Sequence, residues 1–352
     1  MSDKYCMPAE WSPHERCWMA WPCRENLWER PEETCETYTT VAHAIREFEP
    51  VSMIAPPHLL DQAQNYLGKD IELIEMPIDD SWTRDSGPNF VKNQYGKMAG
   101  VCFKFNAWGE KYPSYSQDAQ MAERILLNAE IPIIKSNLIA EGGGICVDGE
   151  GTLLTTDTCF TNKNRNPNWS RQEIEHELRE LLGVNKVIWL PGDPLDDETD
   201  GHIDGIAAFA SPGRIILETC TDNDNPRKLF FDNLKMKLMQ EIDAKGREFE
   251  LLELPEADAE CSIGDKFCLS YVNFYIANDG IIAPSYGLKT DDEVKEKLQS
   301  YFPERKIKLV PIAPIAEGGG GIHCITQQQP SLFSRICHST NTTYPSSSSK
   351  YV

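Results

Sequence analysis

Extended apolar runs alternate with polar turns along this chain in a unit that recurs several times. Two apolar runs joined by a short turn predict hairpins at residues 89–105, around residues 148–151, around residues 211–213 and across residues 271–284. A helical pattern and one short apolar strand separate successive hairpins. The hairpins return about every sixty residues, so the pattern predicts one repeated module rather than unrelated domains.

The helices of these modules are predicted from capping signals and from the helical spacing of their apolar residues. Ser170 and Glu173 form a capping box, and Gly183 ends the same helix. The strand Val187–Leu190 follows it. Three further helix and strand pairs are predicted at 117–128 with 131–134, at 226–244 with 250–254, and from Thr290 with 307–312.

A six-residue repeat supports the modular interpretation. Ile139–Gly144 and Ile315–Gly320 both read Ile-Ala-Glu-Gly-Gly-Gly. The run Ile322–Thr326 has no hairpin partner after it, and Cys17–Trp21 has none before it. Pairing these two runs would close five modules into a ring without an exposed sheet edge. We therefore expect a single closed α/β domain over residues 1–338, followed by a disordered Ser/Thr/Asn-rich tail at 339–352.

The composition restricts the classes of partner. The 352 residues include 55 acidic and 34 basic side chains, which gives a formal net charge of −21. Nucleic-acid binding needs surplus Lys and Arg, so this balance argues against it and favours a small cation. No run of 18 apolar residues predicts a membrane span, and the first residues lack the apolar core of a secretory signal. We expect a cytoplasmic protein.

Candidate chemistry concentrates in the loops that enter the predicted hairpins. These loops are Asp79–Gly87, Glu141–Gly144, Asp196–Gly205 and Glu317–Cys324. Modules arranged around an axis would bring such loops together at one end. On extended backbone His202 and Asp204 would point to the same face, whereas the adjacent His323 and Cys324 would point to opposite faces.

Of that adjacent pair we choose Cys324 as the residue that enters the pocket. A thiol near His202 can become a thiolate and attack an electrophilic carbon. The neighbouring Gly319 and Gly320 allow the backbone to approach a ligand closely. Most of the twelve cysteines are expected to be small core residues, because none of them forms a CxxC pair.

The acidic residues of these loops suit a guanidinium, whose planar N–H donors match carboxylates. Asp85 and Asp204 could hold its two sides. Glu141 could bind a further nitrogen or orient His202, and His202 could protonate departing ammonia and then activate water. Trp82 offers an aromatic wall for the substrate.

Other kinds of site fit the same residues less well. The loop Asp196–Asp204 lacks the ligand spacing and the closing glutamate of an EF-hand, which disfavours calcium. A His/Asp/Cys metal site lacks a second well-placed histidine. The chain contains no GxxxxGK[ST], GxSxG or GxGxxG motif. We therefore expect neither a metal nor a nucleotide cofactor.

Several motifs together resemble the agmatine deiminase family, also called agmatine iminohydrolases, over residues 7–330. The motifs are Met7–Trp11, Trp82–Pro88, Glu141–Gly143, Gly201–Gly205 and Gly319–Gln328. The resemblance implies the five-bladed β/α-propeller called the pentein fold. It also implies hydrolysis of agmatine to N-carbamoylputrescine and ammonia, without a metal or organic cofactor, in a homo-oligomer that serves polyamine synthesis.

The same resemblance implies roles for individual residues. Cys324 would be the nucleophile that forms an amidino-cysteine intermediate, and His202 would be the general acid and base. Asp85 and Asp204 would bind the guanidinium, assisted by Glu141. Agmatine carries a primary amine in place of the amino-acid end of arginine, and Asp197, Glu198 and Asp200 are candidates to bind that amine.

Two other functions remain open at this stage. One is a deiminase that acts on free arginine or on the terminal arginine of a peptide. The other is a non-catalytic pentein that serves as a binding module and has no need of His202, Asp204 and Cys324.

Overall fold

Small sheets of three or four strands carry the fold, which the computed structural model describes at residues 4–193, 195–196, 198–220, 222–225, 227–257 and 268–332. The predicted tail at 339–352 lies outside these ranges. The strands within them are β1 Tyr5–Cys6, β2 His14–Ala20, β3 Val51–Ala55, β4 Glu72–Glu75, β5 Asn89–Asn93, β6 Met98–Lys104, β7 Ile133–Ile139, β8 Cys146–Val147, β9 Thr152–Thr156, β10 Lys186–Leu190, β11 Ala207–Ser211, β12 Arg214–Thr219, β13 Glu250–Pro255, β14 Tyr275–Ile276, β15 Gly280–Ser285, β16 Lys306–Pro311 and β17 Gln327–Pro330.

The helices lie between the strands of each sheet. They are α1 Pro31–Arg46, α2 Leu60–Leu67, α3 Thr83–Ser86, α4 Ala107–Glu110, α5 Met121–Asn128, α6 Arg171–Leu182, α7 Lys228–Leu238, α8 Thr290–Tyr301 and α9 Ala313–Ala316. Buried apolar faces of the longer helices pack onto the sheets, as Val41 and Ile45 of α1 and Ile174 and Leu178 of α6 illustrate. No helix in the described ranges combines the length and apolar character required to cross a membrane.

One connection pattern recurs in the sheets. An antiparallel hairpin is followed by a helix and by a third strand that pairs in parallel with the second strand of the hairpin. Four sheets follow this order, with the hairpins β5–β6, β8–β9, β11–β12 and β14–β15 and the third strands β7, β10, β13 and β16. The predicted hairpins and the repeated module are confirmed.

The remaining sheet closes the ring with strands that are distant in the sequence. β17 pairs antiparallel with β2, and β3 and β4 continue the sheet in parallel. Over the described residues the sheets therefore form the five-bladed β/α-propeller that the sequence predicts. Because β2 and β17 come from opposite ends of the described chain, closure depends on a long-range pairing.

The prediction that Ile322–Thr326 forms the closing strand was wrong. These residues form a turn, and the closing strand is Gln327–Pro330. The Thr326 hydroxyl donates to the carbonyl oxygens of Ile322 and His323 at 3.0 Å each, which favours the turn. The closing strand is rich in glutamine and lacks an apolar pattern, but its side chains are buried, and those of Gln327 and Gln329 are hydrogen-bonded. Gln329 Oε1, for example, accepts from Trp18 Nε1 at 2.9 Å.

Two helix predictions had different outcomes. The capping box at Ser170 and Glu173 forms with both of its hydrogen bonds, and Gly183 ends α6 in the left-handed region at φ 66°. The helix predicted at 226–244 is only Lys228–Leu238. The Asp243 carboxylate accepts the backbone N–H groups of Lys245 and Arg247 at 2.8 and 2.9 Å, so a turn replaces the predicted last part of the helix.

Candidate active site

The polar loops that the sequence singles out meet around the backbone of Gly143. A Cβ atom added to Gly143 would lie 2.5 Å from His202 Nδ1, 2.8 Å from Asp85 Oδ1 and 3.1 Å from Asp204 Oδ2. Asp85 lies on α3, and His202 and Asp204 lie at a 3₁₀ turn over Ile203–Gly205. The structure therefore brings three predicted site residues from two loops around one glycine, which leaves no room for a side chain there.

Asp85 is a buried carboxylate with a donor on each oxygen. The backbone N–H of Gly143 donates to Oδ1 at 2.9 Å, and Trp108 Nε1 donates to Oδ2 at 2.9 Å. Burial raises the pKa of Asp85, the charges of Asp204 and Glu141 raise it further, and His202 only partly opposes them. A cation bound beside Asp85 would therefore stabilise its ionised form.

His202 lies between two acids. Its Nδ1 is 3.7 Å from Asp85 Oδ1, and its Nε2 is 3.7 Å from Glu141 Oε2. Burial lowers the pKa of His202, but Asp85, Cys159 and Glu141 outweigh burial and raise this pKa well above the usual value. These contacts favour the protonated imidazole, the form that can act as an acid.

Glu141 is held by a buried arginine that the sequence analysis did not single out. Arg165 Nε donates to Glu141 Oε1 at 2.9 Å, and both side chains are fully buried. Burial favours the neutral acid, but Arg165 and His202 outweigh burial and lower the pKa of Glu141 to about 2. Arg165 also bonds Asp200 and the carbonyl oxygen of Thr199, so it ties the Asp200 loop to the site.

The group formed by Glu141, Cys159 and His202 has the donor types of a metal site. The nearest ligand atoms of the three residues lie within 4.8 Å of one another. Arg165 already occupies one oxygen of Glu141, and burial raises the pKa of Cys159 to about 11, which disfavours the thiolate that a metal would need. These contacts suit a charged hydrogen-bond network better than a metal centre.

The Cys324 thiol borders both Asp204 and Asn273, a residue that the sequence analysis did not identify as part of the site. Its Sγ is 3.8 Å from Asp204 Oδ2, and Asn273 Nδ2 donates to Sγ at 3.2 Å. Burial and the nearby carboxylates of Asp204 and Asp85 raise the pKa of Cys324 well above its usual value. These surroundings favour the thiol form of Cys324, and a cation bound beside it would favour the thiolate.

The expectation that His323 and Cys324 point to opposite faces was wrong. The two residues lie in a turn rather than on a strand, so the alternation of a strand does not apply. His323 Nδ1 is 2.8 Å from Asp204 Oδ2, the same oxygen that borders Cys324. Asp204 lies in a 3₁₀ turn rather than on a strand, yet the side chains of His202 and Asp204 meet at one place, beside Gly143, in keeping with the expectation that they serve one site.

A cavity leads from Cys324 between aromatic side chains to Glu198. The described residues that line it are Leu27, Trp82, Asp85, Trp108, Tyr112, Glu198, Thr199, Gly318, Gly319 and Cys324. None of these is Lys or Arg. Gly320 lies against Trp82, because a Cβ atom there would be 2.3 Å from the indole ring. The cavity therefore combines apolar walls with two carboxylates, those of Asp85 and Glu198.

The three candidates for binding a distal amine differ in their contacts. Glu198 lines the cavity and bonds the Tyr112 hydroxyl through Oε2. Asp200 bonds Arg165, Asn164 and Lys111, with 3.0 Å to each of the last two, and does not line the cavity. Asp197 lies outside the described residues. Glu198 is thus the candidate whose position suits the role.

Comparison with known proteins gives one consistent result. Residues 6–330 match the family model of Porphyromonas-type peptidyl-arginine deiminases. The chain is 40% identical to an agmatine deiminase of Stutzerimonas stutzeri, with 95% of this chain and 97% of that protein covered.

Solved structures agree with this match. The agmatine deiminase of Enterococcus faecalis has a TM-score of 0.89 and 34% identity, with 94% of this chain and 97% of that chain covered. A substrate-bound cysteine-to-serine variant of C. jejuni agmatine deiminase has a TM-score of 0.85 and 28% identity, with 93% and 96% covered.

Proposed function

Since this chain belongs to the Porphyromonas-type peptidyl-arginine deiminase family and to the agmatine deiminases within it, we infer that it hydrolyses the guanidinium group of agmatine. The products would be N-carbamoylputrescine and ammonia. The observation that carries this function is the meeting of Asp85, Asp204 and His202 around Gly143, with Cys324 Sγ 3.8 Å from Asp204 Oδ2. That arrangement combines two acceptors for a guanidinium, a proton donor and a nucleophile.

The first half of the reaction would form a covalent intermediate. The guanidinium binds against Asp85 and Asp204, and its charge favours loss of the Cys324 proton to water. Cys324 Sγ then attacks the guanidinium carbon. His202, protonated at rest, gives a proton to the departing nitrogen, so that the C–N bond breaks and ammonia leaves an amidino-cysteine.

The second half would return the enzyme to its starting state. His202, now neutral, accepts a proton from a water molecule as the water oxygen attacks the same carbon. The C–S bond breaks, the ureido product leaves, and Cys324 regains its proton. The chain supplies the nucleophile, the acid and the base, so we propose that no metal or organic cofactor takes part.

The distal amine of agmatine would bind at Glu198. The aliphatic stem fits the apolar walls formed by Trp82 and Trp108, and Glu198 lies in the same cavity beside Tyr112. Arginine would instead bring its carboxylate near Asp85 and Glu198 in this cavity, whose described lining contains no Lys or Arg, although Arg227 lines the adjoining cavity that also borders Cys324. These contacts favour agmatine over free arginine or a terminal arginine.

A paired substrate assay tests this choice. Incubation with agmatine or arginine, followed by assays of ammonia and of the ureido product, should give a kcat/KM at least about 100-fold higher for agmatine, because like charges brought together cost several kcal/mol. Preference for arginine or for a peptide with a terminal arginine would contradict the proposal.

Replacement of the nucleophile tests the mechanism and the alternative of a non-catalytic binding module. Cys324→Ser should lower kcat by at least about 10³-fold, because a hydroxyl is a far weaker nucleophile here. Cys6→Ser changes an exposed cysteine and should keep the wild-type rate. A wild-type protein without turnover would favour the binding module, and an active Cys324→Ser variant would refute the covalent mechanism.

We also propose that the enzyme forms a homo-oligomer and acts in the cytoplasm, where its product would enter putrescine and polyamine synthesis. Light scattering after size-exclusion chromatography should give a mass that is a multiple of the chain mass. A monomer would contradict the oligomer. Loss of N-carbamoylputrescine from cells that lack the protein would support the pathway.

A further inference from the structure

Glu10, His323 and Asp204 form a line of hydrogen bonds behind the proposed site. His323 Nε2 is 2.9 Å from Glu10 Oε2, and His323 Nδ1 is 2.8 Å from Asp204 Oδ2. The three side chains are 19%, 10% and 7% exposed, in that order. Glu10 belongs to the Met7–Trp11 motif, which the proposed mechanism does not use.

The geometry determines the charge of His323. A neutral imidazole has only one N–H donor, whereas an ionised carboxylate can only accept a hydrogen bond. Two carboxylates at the two ring nitrogens are both satisfied when the ring is an imidazolium that donates from each nitrogen. His323 is therefore a cation between two anions.

A second cation completes the charge balance behind the site. Arg84 Nε donates to the His323 carbonyl oxygen at 3.3 Å, and Arg84 lines a cavity together with Glu10, Asp204 and His323. Burial would raise the pKa of Glu10, but His323 and Arg84 lower it to about 2. The pKa of His323 is raised despite burial and Arg84, because both carboxylates favour the imidazolium.

We propose that Glu10 and His323 are positioning residues for the deimination reaction, and that they keep Asp204 ionised and oriented toward the substrate guanidinium. The proposal rests on the proposed function. His323 takes up Oδ2 of Asp204, next to Cys324 Sγ, so in this proposal the guanidinium binds Oδ1 of Asp204. Glu10 acts through His323, because it holds the second ring nitrogen and fixes the ring in one orientation.

The consequence for pH dependence follows from the groups that face Asp204. These are the His323 ring, the Cys324 thiol, the protonated His202, the Arg84 guanidinium and the Asp85 carboxylate. Burial raises the pKa of Asp204, but the pKa is lowered overall, and His323 contributes most to this lowering. Without a cationic His323 the pKa of Asp204 rises, so the ionised form is lost at a higher pH.

Kinetics of two conservative variants test the proposal. His323→Asn keeps a donor but removes the charge, and Glu10→Gln keeps the shape but removes an anion. For agmatine we expect the acid limb of kcat/KM to move to higher pH by about one unit or more in His323→Asn, and in the same direction but less in Glu10→Gln. KM should rise more than kcat falls, because Asp204 binds the guanidinium.

Surface substitutions of the same types serve as controls. His176→Asn and Glu293→Gln alter exposed residues of α6 and α8 and should keep the wild-type pH profile. A purely structural role would lower the folded fraction without moving the acid limb. Wild-type pH profiles and KM values in both Glu10→Gln and His323→Asn would overturn the proposal.

A measurement that does not depend on turnover separates this proposal from the proposed function. The ¹⁵N NMR shifts of labelled histidine should show both nitrogens of His323 protonated at pH 7.5 in the wild-type protein, with a lower pKa in Glu10→Gln. A neutral His323 at that pH overturns the proposal even in an active enzyme. A protein inert toward agmatine in which His323 is an imidazolium would refute the function and keep the charge arrangement.

Discussion

Asp85, Glu141 and Asp204 are three buried acids of the site with different partners. Glu141 has Arg165 behind it and Asp204 has His323, and the pKa of each is lowered. Asp85 accepts hydrogen bonds from an indole N–H and a backbone N–H, and His202, 3.7 Å from Oδ1, only partly opposes the effect of burial, so the pKa of Asp85 is raised. Neutral donors compensate a buried charge less than a cation does. Asp85 is therefore the acid with most to gain from a bound guanidinium.

Gly143 provides a residue-scale prediction. In Gly143→Ala the new methyl group would lie within 2.8 Å of His202 Nδ1 and Asp85 Oδ1. Those groups must move, and displacement of about 1 Å in a reacting constellation costs about 10²-fold, so we expect kcat/KM for agmatine to fall by at least that factor.

The matched control for this substitution is Gly205→Ala. A Cβ atom at Gly205 would meet no atom within 4 Å, and we expect this variant to stay within about threefold of the wild-type rate. Equal activity of Gly143→Ala and the wild type would show that the site is looser than the structure indicates.

Residues could be predicted from the sequence where they stand in a recurring loop. Asp85, Glu141, His202 and Cys324 all follow this rule, since the module repeat brings their loops together. Arg165, Asn273 and Trp108 could not be predicted, because each is a lone residue whose contact with the site depends on chain segments far away in the sequence. No spacing or pattern marks such a contact.

At the scale of elements, α4 is a turn in the left-handed region. Ala107, Trp108, Gly109 and Glu110 have φ values of 53°, 56°, 90° and 63°. Such a run is unfavourable for residues with side chains. The Asn106 side chain accepts the Gly109 N–H at 2.9 Å, and the strained turn delivers Trp108 to Asp85 and leads directly into Tyr112 beside Glu198.

The hydrogen bond between Glu198 and Tyr112, which follows this turn, leads to a prediction about substrate affinity. Glu198→Gln should raise KM for agmatine about 10- to 100-fold with little change in kcat, because a charged hydrogen bond to the distal amine is worth roughly 1.5–3 kcal/mol. Tyr112→Phe leaves the carboxylate in place and should have a smaller effect. A Glu198→Gln variant with an unchanged KM would place the amine elsewhere.

Elements were predictable where local signals agree with the fold. The capping box and Gly183 define α6, because both signals act within one helix. The strand Gln327–Pro330 carries no apolar pattern, and its pairing with β2 is long-range. The apolar run just before it, Ile322–Thr326, was therefore the predicted closing strand. The predicted ring was confirmed, but its closing strand was displaced along the chain.

At the scale of the whole molecule, a buried carboxyl group connects two neighbouring blades. Glu218 at the end of β12 is fully buried, and its Oε1 accepts the backbone N–H of Tyr271, which precedes β14 in the next blade, at 3.2 Å. Its Oε2 is 3.5 Å from Arg227. Burial raises the pKa of Glu218 to about 8, which Arg227 only partly opposes. This carboxyl group therefore holds its proton in the folded protein at neutral pH.

The raised pKa predicts how stability depends on pH. The unfolded chain loses the Glu218 proton near the ordinary glutamate pKa of 4.5, and the folded chain keeps it up to about pH 8. The folded state binds more protons in that window, so stability falls as pH rises. The Tm of the wild type should therefore decrease relative to that of Glu218→Gln between about pH 5 and pH 8. A Tm difference that is constant with pH would contradict this.

The pairing of β17 with β2 also sets the order in which a newly made chain can become active. A ribosome synthesises β2 and Glu10 early, and it releases Cys324 and β17 only after the strands of the other blades. Until then the edge of β2 has no partner and is open to intermolecular pairing. The nascent chain thus carries its acids and His202 without a nucleophile, and it becomes a catalyst only when the last described strand has docked.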